Sequence, residues 1–309
     1  MHSSTTKVLT LVGLSACVAA IIVKYFTSLS NKQLGEFNAD PAPVTTADPS
    51  KVGKSYASIV AAPQNAELGD IEDLDSKCGF CRPEMVDKKS PVANSIHEYK
   101  RHFFICTGIA YDQWPSKAYS ATEALEKFSQ SVKKFEKNER APALFNGTDM
   151  PSTNADSFDL IVFPENVKFV GLTNQTVEDV LTYFQENDGI GSNFPAHIKV
   201  ETLSSKYLFV CAHKQKDERC GYCGPILMDD LRKEISKRNL DNDIKVYGST
   251  HVGGHKFAGN VLVFPEGHWY GYVTPNDVNQ IIDSTLNGDI IQNLYRGGMG
   301  KKIEKPEKK

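Results

Sequence analysis

The stretch Asp159-Leu-Ile-Val-Phe-Pro-Glu165 returns later in the chain as Asn260-Val-Leu-Val-Phe-Pro-Glu266. In each copy a short apolar run stops at a proline, which is typical of a buried strand that ends in a turn. A second strand follows, at Val167 to Gly171 in the first copy and at His268 to Val273 in the second. The repeat therefore predicts a duplicated unit that contains a hairpin of two short strands.

An amphipathic helix closes each copy, at Val177 to Phe184 and at Val278 to Leu286. Thr173 and Thr274 are predicted to cap these helices, because a threonine hydroxyl can accept a hydrogen bond from the free N–H groups of the first turn. Pro275 fits that first turn, where its missing N–H removes no hydrogen bond. Both copies therefore predict the same end of the unit, two strands and then a helix.

A further strand and a further helix precede each copy. Phe103-Phe-Ile-Cys106 corresponds to Leu208-Phe-Val-Cys211, and helical patterns follow at Ala121 to Phe135 and at Ile226 to Ile235. A unit of strand, helix, two strands and helix, with a cysteine at the end of its first strand, is the thioredoxin-like pattern. The sequence therefore predicts an α/β protein of two tandem thioredoxin-like units, of which the first is degenerate.

The N-terminal part carries an apolar run from Val8 to Val23, with a lysine on each side. Such a helix rises roughly 24 Å, slightly less than a hydrocarbon core of about 30 Å. Tyr25 and Phe26 could extend it into the interface. We interpret the run as one membrane-anchoring helix; a cleaved secretory signal and an atypical mitochondrial presequence are the alternatives.

Residues 31–95 are rich in Ala, Pro, Ser and Asp and show no sustained periodicity. A stretch of this kind buries too little apolar area to order itself, which predicts a disordered linker. Within it lies Lys77-Cys78-Gly-Phe-Cys81, whose two thiols are interpreted as free, redox-active or metal-binding.

Composition narrows the functional classes. Hydrophobic content of 40% and charged content of 24% are ordinary for a soluble globular protein. A formal net charge of -3 provides no basic surface, which argues against nucleic acid as a partner. The seven cysteines, an odd number without regular spacing, argue against a secreted disulfide framework. The thiols are therefore expected to be reduced and to act as ligands or redox groups.

The richest cluster of reactive side chains lies between Cys211 and His255. Cys211 ends a predicted strand, Cys220 precedes a predicted helix, and His251-Val-Gly-Gly-His255 forms a loop because paired glycines disfavour helix. Two thiolates and two imidazoles on one centre suit zinc or an iron–sulfur cluster, and therefore predict a metal site in the second unit. The first unit carries other residues at the matching positions, around Pro115, at Met150 and at Asn154.

Two other interpretations of this region stay open. Cys220-Gly-Tyr-Cys223, after a strand and at the start of a helix, is also typical of a thiol–disulfide oxidoreductase, because a helix N-terminus favours the thiolate. A structural zinc site of two cysteines and two histidines is the second alternative. His213, close to Cys211, is interpreted as a loop residue or as a hydrogen-bond donor near the site. The sequence shows no hydrolase triad, phosphate loop or pair of catalytic carboxylates.

Motifs of the second unit resemble the sucrase/ferredoxin-like family. They are Phe209-Val-Cys211-Ala-His213, Asp217-Glu-Arg-Cys220-Gly221, Gly224-Pro225, His251-Val-Gly-Gly-His-Lys-Phe-Ala-Gly-Asn-Val261 and Tyr295-Arg-Gly-Gly298. The chain is similar to the fungal members, which are thioredoxin-like [2Fe–2S] ferredoxins, and its last motif is similar to their mitochondrial branch. The resemblance implies a [2Fe–2S] cluster with two cysteine ligands on one side and two histidine ligands on the other. The implied ligands are Cys211, Cys220, His251 and His255.

The resemblance further implies a one-electron carrier or redox sensor rather than an enzyme with its own substrate, with another redox protein as partner. A histidine ligand that reaches water could couple electron transfer to a proton. We expect a mitochondrial, membrane-anchored protein, another intracellular membrane being the alternative. The predicted segments are a membrane anchor or targeting segment at 1–30, a disordered linker at 31–95, a degenerate thioredoxin-like unit at 96–200, a thioredoxin-like ferredoxin domain at 201–298 and a disordered tail at 299–309.

Overall fold

The computed structural model describes residues 74–87, 92–138, 143–154 and 157–300. The predicted anchor, Val8 to Val23, lies outside these ranges, as does most of the predicted tail. Within the described ranges, no helix has both the length and the apolar character that crossing a membrane requires. The anchor therefore stays a prediction.

Residues 74–78 and helix α1, Pro83–Asp87, form a short helical segment inside the predicted linker. Asp75 shapes the turn between them, because its carboxylate accepts hydrogen bonds from the backbone N–H groups of Phe80, at 2.9 Å, and Cys81, at 3.1 Å. An aspartate that bonds the backbone a few residues ahead is a common way to fix a turn. These residues of the predicted linker are therefore helical, and the disordered linker as a whole stays a prediction.

Both copies of the repeat contribute strands to a single mixed sheet, which confirms the predicted α/β class. The first copy provides β1 (Arg101–Cys106), α2 (Glu123–Asn138), β2 (Ala143–Thr148), β3 (Phe158–Phe163), β4 (Val167–Leu172), α3 (Asn174–Glu186) and β5 (Lys199–Thr202). The second copy provides β6 (Lys206–Cys211), α4 (Glu218–Lys237), β7 (Ile244–Ser249), β8 (Val261–Phe264), β9 (His268–Tyr270), α5 (Val278–Asn287) and β10 (Tyr295–Gly298). We call residues 101–202 the first half and residues 206–298 the second half.

The strands lie in the order β10-β9-β8-β6-β7-β2-β1-β3-β4-β5. In each half the first two strands are parallel and are joined by a long helix, and the third strand runs antiparallel beside the first. The halves meet where β2 pairs antiparallel with β7, with Thr148 opposite Ser249. Since both halves use the same order of strands, the duplication in the sequence is also a duplication of topology.

Aromatic side chains join the two halves into one core. Phe104 stacks on Phe209 with ring centroids 3.8 Å apart, and Phe163 stacks on Phe264 with centroids 4.2 Å apart. All four rings are fully buried. Burying a phenylalanine contributes about 2 kcal/mol, and a well-placed aromatic pair adds about 1 kcal/mol. The apolar packing between the halves therefore helps to hold the loops of one half against the other.

Helix α4 begins at Glu218 rather than at Ile226, where the apolar periodicity begins. Asp217 caps the helix, since its carboxylate accepts a hydrogen bond at 3.0 Å from a backbone N–H of the first turn. The first two turns were not predicted as helix because they contain glycines and Pro225, which disfavour helix in the absence of other contacts. Cys220 therefore lies in the first turn of the helix, which corrects its predicted place ahead of the helix.

Of the two predicted threonine caps, the one at Thr173 is confirmed, whereas the N-cap position of α5 is occupied by Asp277 rather than by Thr274. Thr173 precedes α3 directly, and its hydroxyl accepts a hydrogen bond from the N–H of Thr176 at 3.3 Å. Thr274 caps a short 3-10 turn, Pro275–Asp277, which leads into α5. The first half therefore begins its last helix directly after the predicted threonine, whereas the second half has a 3-10 turn between the threonine and the helix.

Candidate metal centre

Two thiols meet where strand β6 ends and helix α4 begins. Cys211 is the last residue of β6, and its backbone N–H donates to the carbonyl oxygen of Asn260 at 3.0 Å. Gly224 lets the helix pack against this strand end, because a Cβ at that position would lie 2.4 Å from the carbonyl oxygen of Cys211. Cys211 and Cys220 are both buried. The missing side chain of Gly224 is therefore one reason why the two sulfurs can approach each other.

The loop after β7 brings a histidine to these thiols. Gly253 and Gly254 adopt left-handed backbone conformations in this loop, with φ of 81° and 67°. Gly254 also has no room for a side chain, since a Cβ there would lie 2.3 Å from the guanidinium of Arg296. The structure therefore confirms that the paired glycines form a loop that other residues would not adopt.

Three of the predicted ligand atoms lie together. The Nδ1 atom of His251 is 3.9 Å from the Sγ atom of Cys211 and 3.7 Å from the Sγ atom of Cys220. All three atoms lie within 4.8 Å of one another, a spacing that could hold a metal ion. Two sulfurs and an imidazole nitrogen form a soft donor set of the kind that suits zinc or an iron–sulfur cluster.

The fourth predicted ligand, His255, lies beside this three-atom cluster rather than within it. Its ring centroid is 6.2 Å from that of His251, and its Nδ1 atom is 3.6 Å from a carboxylate oxygen of Asp217. The side chain of His255 is 57% exposed. The structure therefore brings three of the four residues together and places the fourth on the solvent side of the same loop.

The two thiols differ in how readily they lose a proton. Hydrogen bonds from Cys220 and from His251 lower the pKa of Cys211 in spite of its burial. The hydrogen bond with Cys211, together with burial, raises the pKa of Cys220. Within the pair, negative charge is therefore favoured on Cys211 and the proton is favoured on Cys220. A soft metal ion that displaced this proton would meet ligands that are already in place.

Arg296 is a buried cation beside the site that was not singled out from the sequence. Its guanidinium donates to the Oδ1 atom of Asn260 at 2.8 Å and to the carbonyl oxygen of Gly253 at 3.3 Å. It also lies over the ring of Phe257, 4.8 Å from the centroid. Burial lowers its pKa to about 10, which leaves it charged at neutral pH. Its one signal in the sequence was the motif Tyr295-Arg-Gly-Gly298, which forms β10.

The remaining candidates lie outside the three-atom cluster. Cys223 is fully buried in helix α4, and Cys106 is buried at the end of β1 in the first half. His213 is also buried, but it contacts the site through a hydrogen bond, because its Nδ1 atom accepts from the backbone N–H of His251 at 3.4 Å. His213 is therefore a neighbour of the cluster: its Nδ1 atom accepts from the backbone of His251, and its Nε2 atom donates to the carbonyl oxygen of Pro115 at 2.8 Å.

Several known proteins are similar to this chain over parts of its length. "Altered inheritance of mitochondria protein 32" of Debaryomyces hansenii is 29% identical over 236 residues, which cover 68% of this chain and 86% of that protein. The protein of the same name from Meyerozyma guilliermondii is 40% identical over 101 residues, which cover 31% of this chain and 36% of that protein. The first relative is thus matched over most of its length and the second over about a third of its own length.

Among solved structures, a thioredoxin-like [2Fe–2S] ferredoxin from Aquifex aeolicus is 22% identical and has a TM-score of 0.28. The match covers 31% of this chain and 93% of the ferredoxin. A TM-score of this size does not by itself establish a shared fold. The profile of the sucrase/ferredoxin-like family matches residues 92–297, which include the whole three-atom cluster. The chain therefore belongs to the sucrase/ferredoxin-like family.

Proposed function

We propose that the second half of this chain binds a [2Fe–2S] cluster and that the protein is a one-electron carrier or a redox sensor. The observation that carries the proposal is the grouping of two buried sulfurs and an imidazole nitrogen within 4.8 Å of one another. Membership of a family that is described as ferredoxin-like supports it. The proposed ligands are Cys211, Cys220, His251 and His255.

We also propose that each half is a thioredoxin-like unit and that the first unit is degenerate. The support is the repeated topology, in which a helix joins two parallel strands and a third strand returns antiparallel beside the first. Each half also has a cysteine at the end of its first strand. The boundary between the units would lie between β5 and β6, close to the predicted boundary at residue 200.

The residues around the donor set fit a [2Fe–2S] cluster, whose sulfur atoms can accept hydrogen bonds. A [2Fe–2S] cluster supplies one-electron transfer when it is bound. Burial of the two cysteines keeps water away from the sulfurs, and the charge of Arg296 favours thiolates nearby. The Nδ2 atom of Asn260 is buried and has no hydrogen-bond partner among the described residues. Hydrogen bonds to sulfur tune such clusters, so an orphaned donor at this place is consistent with a bound group.

The exposed imidazole of His255 supports the finer proposal that electron transfer is coupled to a proton, because this ring can reach water. A reduction potential that stays constant from about pH 6 to 9 would contradict that coupling. The relatives' name, altered inheritance of mitochondria protein, supports a mitochondrial location. The partner would be a further redox protein, and a membrane anchor is proposed only from the apolar run at Val8 to Val23.

Thiol–disulfide exchange through Cys220 and Cys223 is the alternative function. Both thiols are completely buried, with 0% exposure, whereas a thiol that attacks a disulfide has to be partly accessible. The burial of both sulfurs therefore favours ligation over exchange. Zinc would suit the same donor set, and it differs from a cluster in colour and in sulfide content.

The proposal is tested by purifying the full chain without oxygen and measuring iron, acid-labile sulfide and the absorption spectrum. We expect a brown protein with about two iron atoms and two sulfides per chain. Cys220→Ser and His255→Ala should lower both contents, and His255→Ala should also shift the spectrum because one proposed ligand is lost. Cys223→Ser should keep the wild-type spectrum. A colourless wild-type protein that contains zinc, or no metal, would overturn the proposal.

A further inference from the structure

The backbone of His251 is held at both ends by side chains that do not belong to the cluster. Its N–H donates to the Nδ1 atom of His213 at 3.4 Å. Its carbonyl oxygen accepts a hydrogen bond from the Nδ2 atom of Asn146 at 3.3 Å. Asn146 lies on β2, in the first half of the chain. His213 belongs to the second half but is hydrogen-bonded to a residue of the first half.

The first of these contacts continues into the first half through Pro115. The Nε2 atom of His213 donates to the carbonyl oxygen of Pro115 at 2.8 Å, and the ring of Trp114 packs against the imidazole at 5.7 Å between centroids. A carbonyl oxygen can only accept, so the proton of the neutral ring is on Nε2. The Nδ1 atom is then left as an acceptor, which is what the N–H of His251 requires.

The second contact continues through His102. The Nε2 atom of His102 donates to the Oδ1 atom of Asn146 at 2.9 Å, so the amide nitrogen of Asn146 is turned toward the loop. That nitrogen also donates to the hydroxyl of Thr250 at 3.1 Å. His102 is fully buried, and burial lowers its pKa to about 3, which keeps the ring neutral.

The backbone beside Asn146 reinforces this contact. The N–H of Thr250 donates to the carbonyl oxygen of Gly147 at 2.8 Å, and the N–H of Gly147 donates to the hydroxyl of Thr250 at 2.9 Å. Both backbone groups of Gly147 and the side chain of Asn146 therefore meet the segment that leads into His251. Reciprocal bonds of this kind fix the register of the loop as well as its distance.

We propose that the first half of the chain is a positioning element for the metal centre of the second half, and that it acts through His213 and Asn146 on the backbone of His251. The inference rests on the proposed function to the extent that His251 is taken as a ligand. Groups that orient a metal ligand without touching the metal commonly change metal affinity by about 10- to 100-fold. His213 carries one contact between the halves, and His102 orients Asn146, which makes the other.

The experiment compares four variants of the full chain. His213→Phe keeps a ring but removes both hydrogen bonds of the imidazole, whereas His213→Asn keeps an acceptor at the place of Nδ1 and loses only the donor to Pro115. Asn146→Ala removes the donor to the carbonyl oxygen. Thr153→Val is the matched control, because it removes a hydrogen bond of 2.6 Å to Asp159 in the first half that does not reach the loop.

Two measurements are made on each chain. The first is the rate at which a chelator removes iron from the loaded protein, which we expect to rise about 10- to 100-fold in His213→Phe and Asn146→Ala. The second is amide hydrogen exchange of His251 in the metal-free protein, which we expect to be about tenfold faster in His213→Phe, since one hydrogen bond is lost. Thr153→Val should stay within about threefold of wild type in both measurements, whereas His213→Asn should fall between wild type and His213→Phe, because it keeps the acceptor for His251 but loses the bond to the first half.

The outcomes separate this inference from the proposed function. A wild-type protein without iron would remove the proposed cluster, but exchange at His251 would still test the positioning contacts. Folded His213→Phe and Asn146→Ala chains with wild-type iron loss and wild-type exchange would overturn the positioning role. A Thr153→Val chain that lost iron as fast as they do would overturn it too, because the effect would then be a general loosening of the first half.

Discussion

Cys106 ends β1 in the first half and Cys211 ends β6 in the second, so the two thiols occupy matching places in the sheet. Burial and the nearby charge of Asp159 raise the pKa of Cys106, which keeps it protonated. Hydrogen bonds from Cys220 and His251 lower the pKa of Cys211, although it is equally buried. The comparison shows that the strand end supplies the position of the sulfur, whereas the neighbouring side chains decide whether it can become a ligand.

The charges near Cys106 and near Cys211 also differ, in the direction that favours a thiolate only at Cys211. Asp159 is the counterpart of Asn260 in the repeat, and its buried carboxylate lies 3.4 Å from the ammonium of Lys168. Asn260 is neutral and instead accepts a hydrogen bond from the cation Arg296 at 2.8 Å. A carboxylate disfavours a second negative charge nearby, whereas a buried guanidinium favours one. The second half is therefore the one in which a thiolate such as Cys211 is stabilised.

The largest difference between the halves is expected when serine replaces one or the other of the two matching cysteines. Cys211→Ser should remove the bound metal and the visible absorbance, because a serine hydroxyl is a poor ligand for a soft metal. Cys106→Ser should keep both, since no part of the three-atom cluster involves Cys106. Iron and sulfide per chain, measured side by side, decide the comparison. Equal losses of iron and sulfide in the two variants would contradict the proposal that Cys211 binds the metal and Cys106 does not.

A smaller effect is expected from the packing of α4 on β6. In Gly224→Ala the new Cβ would meet the carbonyl oxygen of Cys211 at 2.4 Å and the Cα of Ala212 at 2.7 Å, and backbone atoms cannot move aside easily. We expect the free energy of unfolding to fall by about 3 kcal/mol or more, together with a lower metal content. Urea unfolding measures the free energy of unfolding, and iron per chain in the loaded protein measures the metal content.

Gly189→Ala in the first half is the control for this packing, because a Cβ there meets nothing within 4 Å. It should change the free energy of unfolding by no more than about 0.5 kcal/mol. If Gly224→Ala were as mild as this control, the close approach of helix and strand would not be what brings the two sulfurs together.

Features that depend on local periodicity could be predicted from the sequence. The last helix was predicted at Val278 to Leu286 and was found at Val278–Asn287, because its apolar spacing of about 3.6 residues is visible without any tertiary contact. The start of α4 could not be predicted in this way. Its first turns contain Gly221, Gly224 and Pro225, and they form where Asp217 caps the helix and the chain packs against β6.

The candidate site was predictable to the same limited extent. Its proposed ligands were visible because cysteine and histidine are rare and were closely spaced, and three of the four do meet. Arg296 was not, because it reaches the loop only through the pairing of β10 with β9. Asn146 and Pro115 are ordinary residues of the first half, and only the pairing of the two halves brings them to the backbone near His251.

A pH-dependent difference is expected where the halves meet. Asp149 follows β2 and accepts a hydrogen bond from the N–H of Gly248 at 2.8 Å, and its counterpart in the second half is the neutral Thr250. Burial raises the pKa of Asp149 from 3.8 to about 6. The folded state therefore binds this proton more tightly than the unfolded state, so the carboxyl lowers stability as the pH rises from about 4 to beyond 6.

Asp149→Asn should remove that loss, since an amide keeps an acceptor for Gly248 and does not ionise. We expect the variant to unfold like the wild type near pH 4 and to be more stable by about 2 to 3 kcal/mol near pH 8. Urea unfolding across this range measures the difference between the two chains, so that groups common to both cancel. A constant difference at all pH values would show that Asp149 does not titrate in the folded protein as its burial implies.

The smallest difference is expected between the two threonine caps. The hydroxyl of Thr274 donates to the carboxylate of Asp277 at 2.7 Å, whereas the hydroxyl of Thr173 accepts from the N–H of Thr176 at 3.3 Å. A hydrogen bond to a charged group contributes about 1.5 kcal/mol or more, and a neutral one at an exposed helix start contributes about 0.5 kcal/mol. Thr274→Ala should therefore lower the free energy of unfolding by roughly three times as much as Thr173→Ala. Urea unfolding at neutral pH measures both, and equal losses would show that the carboxylate gives the second half no stronger cap than the first.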